Sequence, residues 1–283
     1  MTKPRLAVAT NSTPDWTLDT IIDEAARMES LDGIGIWEKR LEGTTAKAVR
    51  TQLDQVGLSC SGVYFLGDFT KGVDNAVEAA RKTLDTTAAL GAAQVLFLPG
   101  PRVDGMSLRE ATYMAREGLE RCADIAAPLG ITVSVEPLHP VMIGKYGFTN
   151  TLAQTAALRD GVANTSLCLD TWNSWWEPDL DADLERVADD IAWVHLCDYN
   201  GGANANPMNR LAVGEGVLPF EQQLRPLMRR GFDGWLEFEL MQDKADTHYT
   251  ADTYGEALRT SVVHTHAVLQ RLREEAAVSE AAE

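Results

Sequence analysis

One pattern repeats along this chain from end to end: a short β-branched or apolar run, then a longer amphipathic stretch. The runs begin with Leu6 to Ala9, Gly33 to Trp37, Ser59 to Tyr64 and Gln94 to Leu98. They continue with Thr132 to Glu136, Ser166 to Asp170, Ala192 to Leu196 and Trp235 to Leu240. Helix-like segments lie between them, near 18–30, 44–56, 74–90, 108–129, 150–160, 179–188, 219–229 and 252–275. Parallel strands need a crossover long enough to return along the sheet, so this alternation predicts parallel strands joined by right-handed helical crossovers. Eight such units close most naturally into a (β/α)8 TIM barrel. An open doubly wound sheet is the competing architecture. It would carry a glycine-rich turn after its first strand, whereas Thr10, Asn11, Ser12 and Thr13 follow Ala9 here.

The length of 283 residues suits one barrel domain over 1–283 as well as two smaller domains, and the absence of any linker or low-complexity segment favours one. Local punctuation agrees. Ser107 with Glu110 reads as a capping box at a helix start, and Gly130 as a left-handed helix end before the fifth strand. The Ala- and Glu-rich last dozen residues are expected to fray from the final helix.

The 42 acidic and 25 basic side chains give a formal net charge of -17, which repels phosphate backbones and anionic lipid. Nucleic acid and membrane partners are therefore not expected; the acidity serves solubility or surrounds a cation. Cys60, Cys122, Cys168 and Cys197 show no CxxC spacing and read as buried free thiols. With no signal-like or membrane-length apolar run, a cytoplasmic enzyme is the expectation.

In a TIM barrel the chemistry gathers at the C-terminal strand ends. Strands five to eight are apolar until their ends, and each then delivers an ionisable group: Glu136, Asp170, His195, and Glu237 or Glu239. A charge leaving an apolar strand must be paired, hydrogen-bonded or metal-bound, and three carboxylates converging without a cation repel one another. The plain alternative is that each is satisfied by neighbours in the mouth. One imidazole with three carboxylates suits Mn²⁺ or Mg²⁺, with Co²⁺ or Zn²⁺ also accommodated. Residues two apart share a strand face, so periodicity leaves Glu237 and Glu239 open; position toward the strand end favours Glu239, with Glu237 deeper or in a buried pair.

These segments together resemble the sugar phosphate isomerase/epimerase superfamily of xylose isomerase-like TIM barrels, which includes ketose 3-epimerases, inosose dehydratases and hydroxypyruvate isomerases. The likeness spans nearly the whole chain. It rests on Val135-Glu136-Pro137-Leu138-His139-Pro140, Trp175-Trp176-Glu177-Pro178, His195-Leu196-Cys197-Asp198, and Arg210 ahead of Gly214-Glu215-Gly216. The resemblance implies metal ligands Glu136, Asp170, His195 and Glu239. It prefers Glu239 because the family ligand falls four residues after a Gly-Trp tryptophan, here Trp235. It also implies that Arg210 binds substrate oxygens. Asn173 stands where ketose epimerases of this kind carry a histidine, and asparagine can hydrogen-bond a hydroxyl but cannot shuttle a proton near neutrality.

The resulting expectation is a divalent-metal-dependent isomerase or epimerase. It would move a proton next to a carbonyl of a sugar, keto-sugar or cyclitol through a metal-stabilised enediolate. Glu136 and Glu239 form the acid/base pair, with His139 as the alternative base or a hydrogen-bonding support for the ligands. Arg210, Asn173 and Trp172 contact substrate, and Asp198 orients His195 or Arg210. Trp16, Trp37, Tyr64, Phe65, Trp175 and Trp176 either wall a sugar ring, close a homo-oligomer contact or pack in the core. A lyase is the alternative, dehydrating a keto-cyclitol or cleaving an oxidised glycoside through the same enolate. Endonuclease chemistry on this barrel would need three zinc ions, and five histidines, two of them His264 and His266, cannot supply that ligand set. A non-catalytic binding subunit is the remaining reading.

Overall fold

The structure, a computed structural model, describes residues 3–13, 15–202, 206, 208–242 and 248–282, with the backbone alone for 279–282. In chain order the elements are β1 (Arg5–Ala9), α1 (Leu18–Ala26), β2 (Gly33–Trp37), α2 (Ala46–Val56), β3 (Ser59–Leu66), α3 (Val73–Leu90), β4 (Gln94–Phe97) and α4 (Leu108–Ala126). There follow β5 (Thr132–Val135), α5 (Leu152–Arg159), β6 (Thr165–Asp170), the single turn α6 (Thr171–Ser174), α7 (Leu180–Val187), β7 (Ile191–Leu196), α8 (Phe220–Arg229), β8 (Trp235–Phe238) and α9 (Tyr254–Ala282). The strands pair in parallel in the order β1 to β8, and β8 returns to β1 to close the barrel.

Threonine and serine start four of the helices, because their hydroxyls accept the otherwise orphan N–H three residues on. Thr17, Thr45, Ser107 and Thr151 do so for Thr20, Ala48, Glu110 and Gln154. Gly130 ends the α4 segment in the left-handed region expected of it, at φ 70°. The last helix runs on to Ala282 where fraying was expected, its backbone still helical through the Ala- and Glu-rich end, both good helix formers. Among the described residues no helix is long and apolar enough to cross a membrane.

Two apolar layers hold the barrel. The larger lies between strands and helices; the smaller fills the barrel interior with Ala7, Ala9, Leu96, Cys168, Trp193 and Trp235. The interior is lopsided in volume. Large side chains come from β7 and β8, and glycines of β2 and β3 make room for them. A Cβ on Gly33 would stand 2.8 Å from the Trp235 ring, one on Gly62 2.6 Å from Cζ3 of Trp193, and one on Gly35 2.6 Å from Cδ of Glu237. This asymmetry lets one barrel layer hold a carboxylate among tryptophans.

Candidate metal centre

The strand-end groups converge at the C-terminal mouth. Glu136 follows β5 directly, Asp170 closes β6, His195 is the penultimate residue of β7 and Glu239 follows β8. One potential ligand atom from each lies within 4.8 Å of all the others, and all four side chains are buried. His195 Nδ1 is 3.0 Å from Glu136 Oε1 and 3.8 Å from Glu239 Oε2. Two donors on opposite sides of an ion with bonds of about 2.1 Å stand about 4.2 Å apart, so a cluster this tight can close on a divalent cation.

Arg210 enters the same cluster. Its Nη1 donates to Asp170 Oδ2 at 2.9 Å and to Glu239 Oε2 at 2.7 Å, while its guanidinium carbon lies 5.6 Å from the centre of the Trp172 ring. Asn11 Nδ2 donates to the other Glu239 oxygen at 2.8 Å. Asp170 also accepts from the backbone N–H of Trp172 and Asn173, which is why the chain turns into α6 immediately after β6.

The environment drives the carboxyls apart. Burial pushes Glu136 up to about 7 against the opposing hydrogen bond from His195. Burial opposes ionisation of Asp170 too, but Arg210, His195 and the Asn173 N–H outweigh it and hold this carboxyl below its ordinary value. A buried group that keeps its proton and a neighbouring group that keeps its charge are the ingredients of acid/base work at one site.

A cavity of about 160 Å³ opens above the cluster. Its floor is polar, from Asn11, Glu136, Asn173, Arg210 and Glu239, and its walls are apolar, from Trp37, Phe65, Leu98, Met142, Tyr146 and Met241. Convergent polar groups at the base of an apolar cleft are the usual form of a small-molecule site.

Comparison with known families decides the membership, because the model of the xylose isomerase-like TIM barrel matches residues 22–262, most of the chain. The chain belongs to the xylose isomerase-like TIM-barrel family. A Streptomyces coelicolor relative described as a candidate hydroxypyruvate isomerase is 24% identical over 238 residues, covering 76% of this chain and 82% of the relative. Two solved structures share the fold. L-ribulose 3-epimerase superposes with a TM-score of 0.81 at 18% identity, over 98% of each chain. The IOLI protein with a binding zinc atom gives 0.79 at 18% identity, over 95% of this chain and 99% of that one.

Within this xylose isomerase-like barrel the remaining predicted site residues fall in different places. Asn173 lines the cavity, but its amide is engaged: Nδ2 donates to Asp170 Oδ2 at 3.1 Å and Oδ1 accepts from the His139 N–H at 3.1 Å. The His139 ring lies 4.7 Å from Trp172 and 5.8 Å from Trp176, and its Nδ1 accepts from the Val141 N–H. His139 is not among the residues lining the cavity, and burial lowers its pKa. Trp172 is wholly buried as a platform beneath Arg210, away from the cavity. The Asp198 carboxylate reaches neither His195 nor Arg210. It accepts from the N–H groups of Tyr199, Gly214 and Leu218, because the tight loop after β7 aims them all inward. Trp16 packs on Tyr254, and Trp175 on Tyr199.

Sequence reasoning missed Asn11 and the contacts that Tyr64, read as a wall residue and found in the cavity lining, and Cys168, read as a buried thiol, make with His195. Asn11, in the turn after β1, and Tyr64 of β3 reach the centre, Tyr64 through a 3.2 Å contact of its hydroxyl with His195 Nε2. Cys168 lies 3.7 Å from both ring nitrogens of His195, its sulfur against the imidazole. Glu237 sits one layer below Glu239, fully buried, and its partners are neutral donors: Ser61, Tyr64 and Trp193.

Proposed function

We propose that this protein is a divalent-metal-dependent isomerase or epimerase of a small sugar, keto-sugar or cyclitol. The observation that carries this reading is the meeting of Glu136, Asp170, His195 and Glu239, from four successive strands, beneath a cavity. The ketose epimerase and isomerase names of its relatives support the substrate class. Three carboxylates and one imidazole form an oxygen-rich donor set, which favours Mn²⁺ or Mg²⁺, with Zn²⁺ or Co²⁺ as substitutes. Bound there, the cation would supply Lewis-acid polarisation of a carbonyl and charge neutralisation as a neighbouring C–H loses its proton.

The protein's own groups divide the remaining work. Glu136 and Glu239 both approach His195 Nδ1 at the cavity floor and serve as the acid/base pair. In the metal-free protein burial raises Glu136 to about 7, so it can hold a proton near neutrality, and a bound cation would lower it toward the ionised form that accepts one. Arg210 and Asn173 orient substrate oxygens from the same floor. His139, braced by two tryptophans outside the cavity lining, supports Asn173.

The apolar wall favours a second reading, elimination from an oxidised glycoside or keto-cyclitol, since an apolar leaving group would sit among Trp37, Phe65 and Met142. Incubation of Mn²⁺-loaded protein with a ketose panel in D₂O separates the two. Deuterium gained at carbon with the skeleton intact supports isomerisation, whereas loss of water or an aglycone supports the lyase. Asp170→Asn that keeps both metal and turnover would overturn the metal centre itself.

A further inference from the structure

Beneath the metal centre lies a buried chain of hydrogen bonds that the catalytic reading does not use. Glu237 of β8 is opposite His195 of β7 in the barrel register, yet its carboxylate crosses the interior toward β3. There one oxygen accepts from Ser61 Oγ and from Trp193 Nε1, the latter at 3.1 Å. The other accepts from the Tyr64 hydroxyl. Tyr64 Oη in turn lies 3.2 Å from His195 Nε2, and the two rings stack at 5.4 Å.

His195 is thereby addressed at both nitrogens. Its Nδ1 faces Glu136 and Glu239, and its Nε2 faces Tyr64. Since the Tyr64 proton goes to Glu237, Tyr64 Oη is free to accept, and the group it can accept from is the Nε2–H of the imidazole. A histidine protonated on Nε2 presents an Nδ1 lone pair, the form a cation requires, and an outward hydrogen bond of this kind fixes both tautomer and ring orientation.

We propose that Glu237 and Tyr64 are positioning residues for the metal ligand His195, a buried relay from carboxylate through phenol to imidazole that holds Nδ1 toward Glu136, Asp170 and Glu239. A purely structural account fits the surroundings poorly. The layer is otherwise built of Ala7, Leu96, Cys168, Trp193 and Trp235, and a buried carboxylate there is costly where an apolar side chain of the same volume would pack without a desolvation penalty. The glycine at 35 and the donors Ser61 and Trp193 hold this carboxylate in one place; Trp193 only packs edge-on against His195, at 4.9 Å, and among the described residues Tyr64 is the hydrogen-bond partner of Glu237 that also reaches an imidazole nitrogen.

The inference rests on the four-ligand reading, and a metal titration separates the two. Mn²⁺ dissociation constants and melting temperatures are measured on chelator-stripped wild type, Tyr64→Phe, Glu237→Gln and the double variant. The relay predicts that each single change weakens Mn²⁺ roughly 10–100-fold, the usual cost of losing a ligand's outer partner. It also predicts that the double variant binds no worse than the weaker single one, because both act through one bond to His195. Tyr64→Phe removes one hydroxyl and is the variant that decides if Glu237→Gln fails to fold. Mn²⁺ affinity within twofold of wild type in Tyr64→Phe, with only the melting temperature lowered, overturns the relay and leaves the metal centre standing. No Mn²⁺ bound by wild type overturns both.

Discussion

Gly35 and Glu237 meet inside the barrel with no room for a side chain between them: a Cβ on Gly35 would lie 2.6 Å from Cδ of the glutamate. Gly35 is in the middle of β2 with an ordinary strand backbone, so space, and not backbone freedom, is what alanine lacks there. Gly35→Ala should cost roughly 1–3 kcal/mol of stability by overpacking. Urea denaturation of Gly35→Ala, Glu237→Ala and the double variant checks the cause. If the glutamate is the obstacle, the alanine at 35 costs much less once Glu237 is truncated, and additive costs would place the clash elsewhere.

Arg210 holds the charge balance of the centre in chelated protein, bridging Asp170 and Glu239 while buried. Arg210→Met leaves those carboxylates without that neutralising cation and should destabilise metal-free protein by about 3–5 kcal/mol. Arg210 donates to the Glu239 oxygen that also faces His195 Nδ1, so guanidinium and cation draw on the same charge. Added Mn²⁺ should therefore raise the melting temperature of Arg210→Met by more than that of wild type. Equal shifts would mean that arginine and metal act independently.

The barrel was legible because its signal is local. Short apolar runs and amphipathic stretches lie within each unit, and the strand limits observed coincide with those expected or differ by no more than two residues. The four strand-end groups were legible for the same reason. What was missed acts across the barrel. Asn11 reaches Glu239 over 228 positions and Tyr64 reaches His195 over 131, and no spacing rule joins such pairs. A signal did exist: Asn11 lies just past the end of β1 and Tyr64, read only as an aromatic wall, near the end of β3, where a polar group carries the same meaning as at the ends of β5 to β8. The single turn α6 was missed because the cap that makes it is Asp170 itself.

Glu177 gives the metal-free protein a specific pH dependence. It lies between α6 and α7 with its buried carboxylate against the start of α5, one oxygen accepting from the Leu152 N–H at 2.8 Å and the Ser174 hydroxyl close by. Burial raises its carboxyl from 4.5 to about 7. Between those values the unfolded chain gives up the proton that the folded chain keeps, so this group's contribution is full below about 4.5 and is lost as pH rises to about 7. Melting temperatures of chelated protein at pH 5 and pH 8 test this against Glu177→Gln, which stays neutral throughout. The variant's advantage over wild type should be larger at pH 8. An advantage that shrinks toward pH 8 would show that the carboxylate is stabilised in the fold.

Asp198 secures Arg210 without touching it. Its carboxylate gathers the N–H groups of Tyr199, Gly214 and Leu218, and its backbone exchanges two hydrogen bonds of 2.8 Å with Leu211, the residue next to Arg210. Gly216 packs so close that a Cβ there would lie 2.7 Å from the Asp198 Cγ. Asp198→Ala would orphan three backbone donors, each worth about 1–3 kcal/mol if it stays buried, so the loop should relax toward water and release the guanidinium from its two carboxylates. The consequence is a coupling, not just a loss of stability. In an Asp198→Ala background the further cost of Arg210→Met should fall well below its cost in wild type, because the pairing it breaks is already loosened. If Arg210→Met costs the same in both backgrounds, the backbone pairing with Leu211 holds the arginine without help from the carboxylate, and the loop clamp is independent of the site.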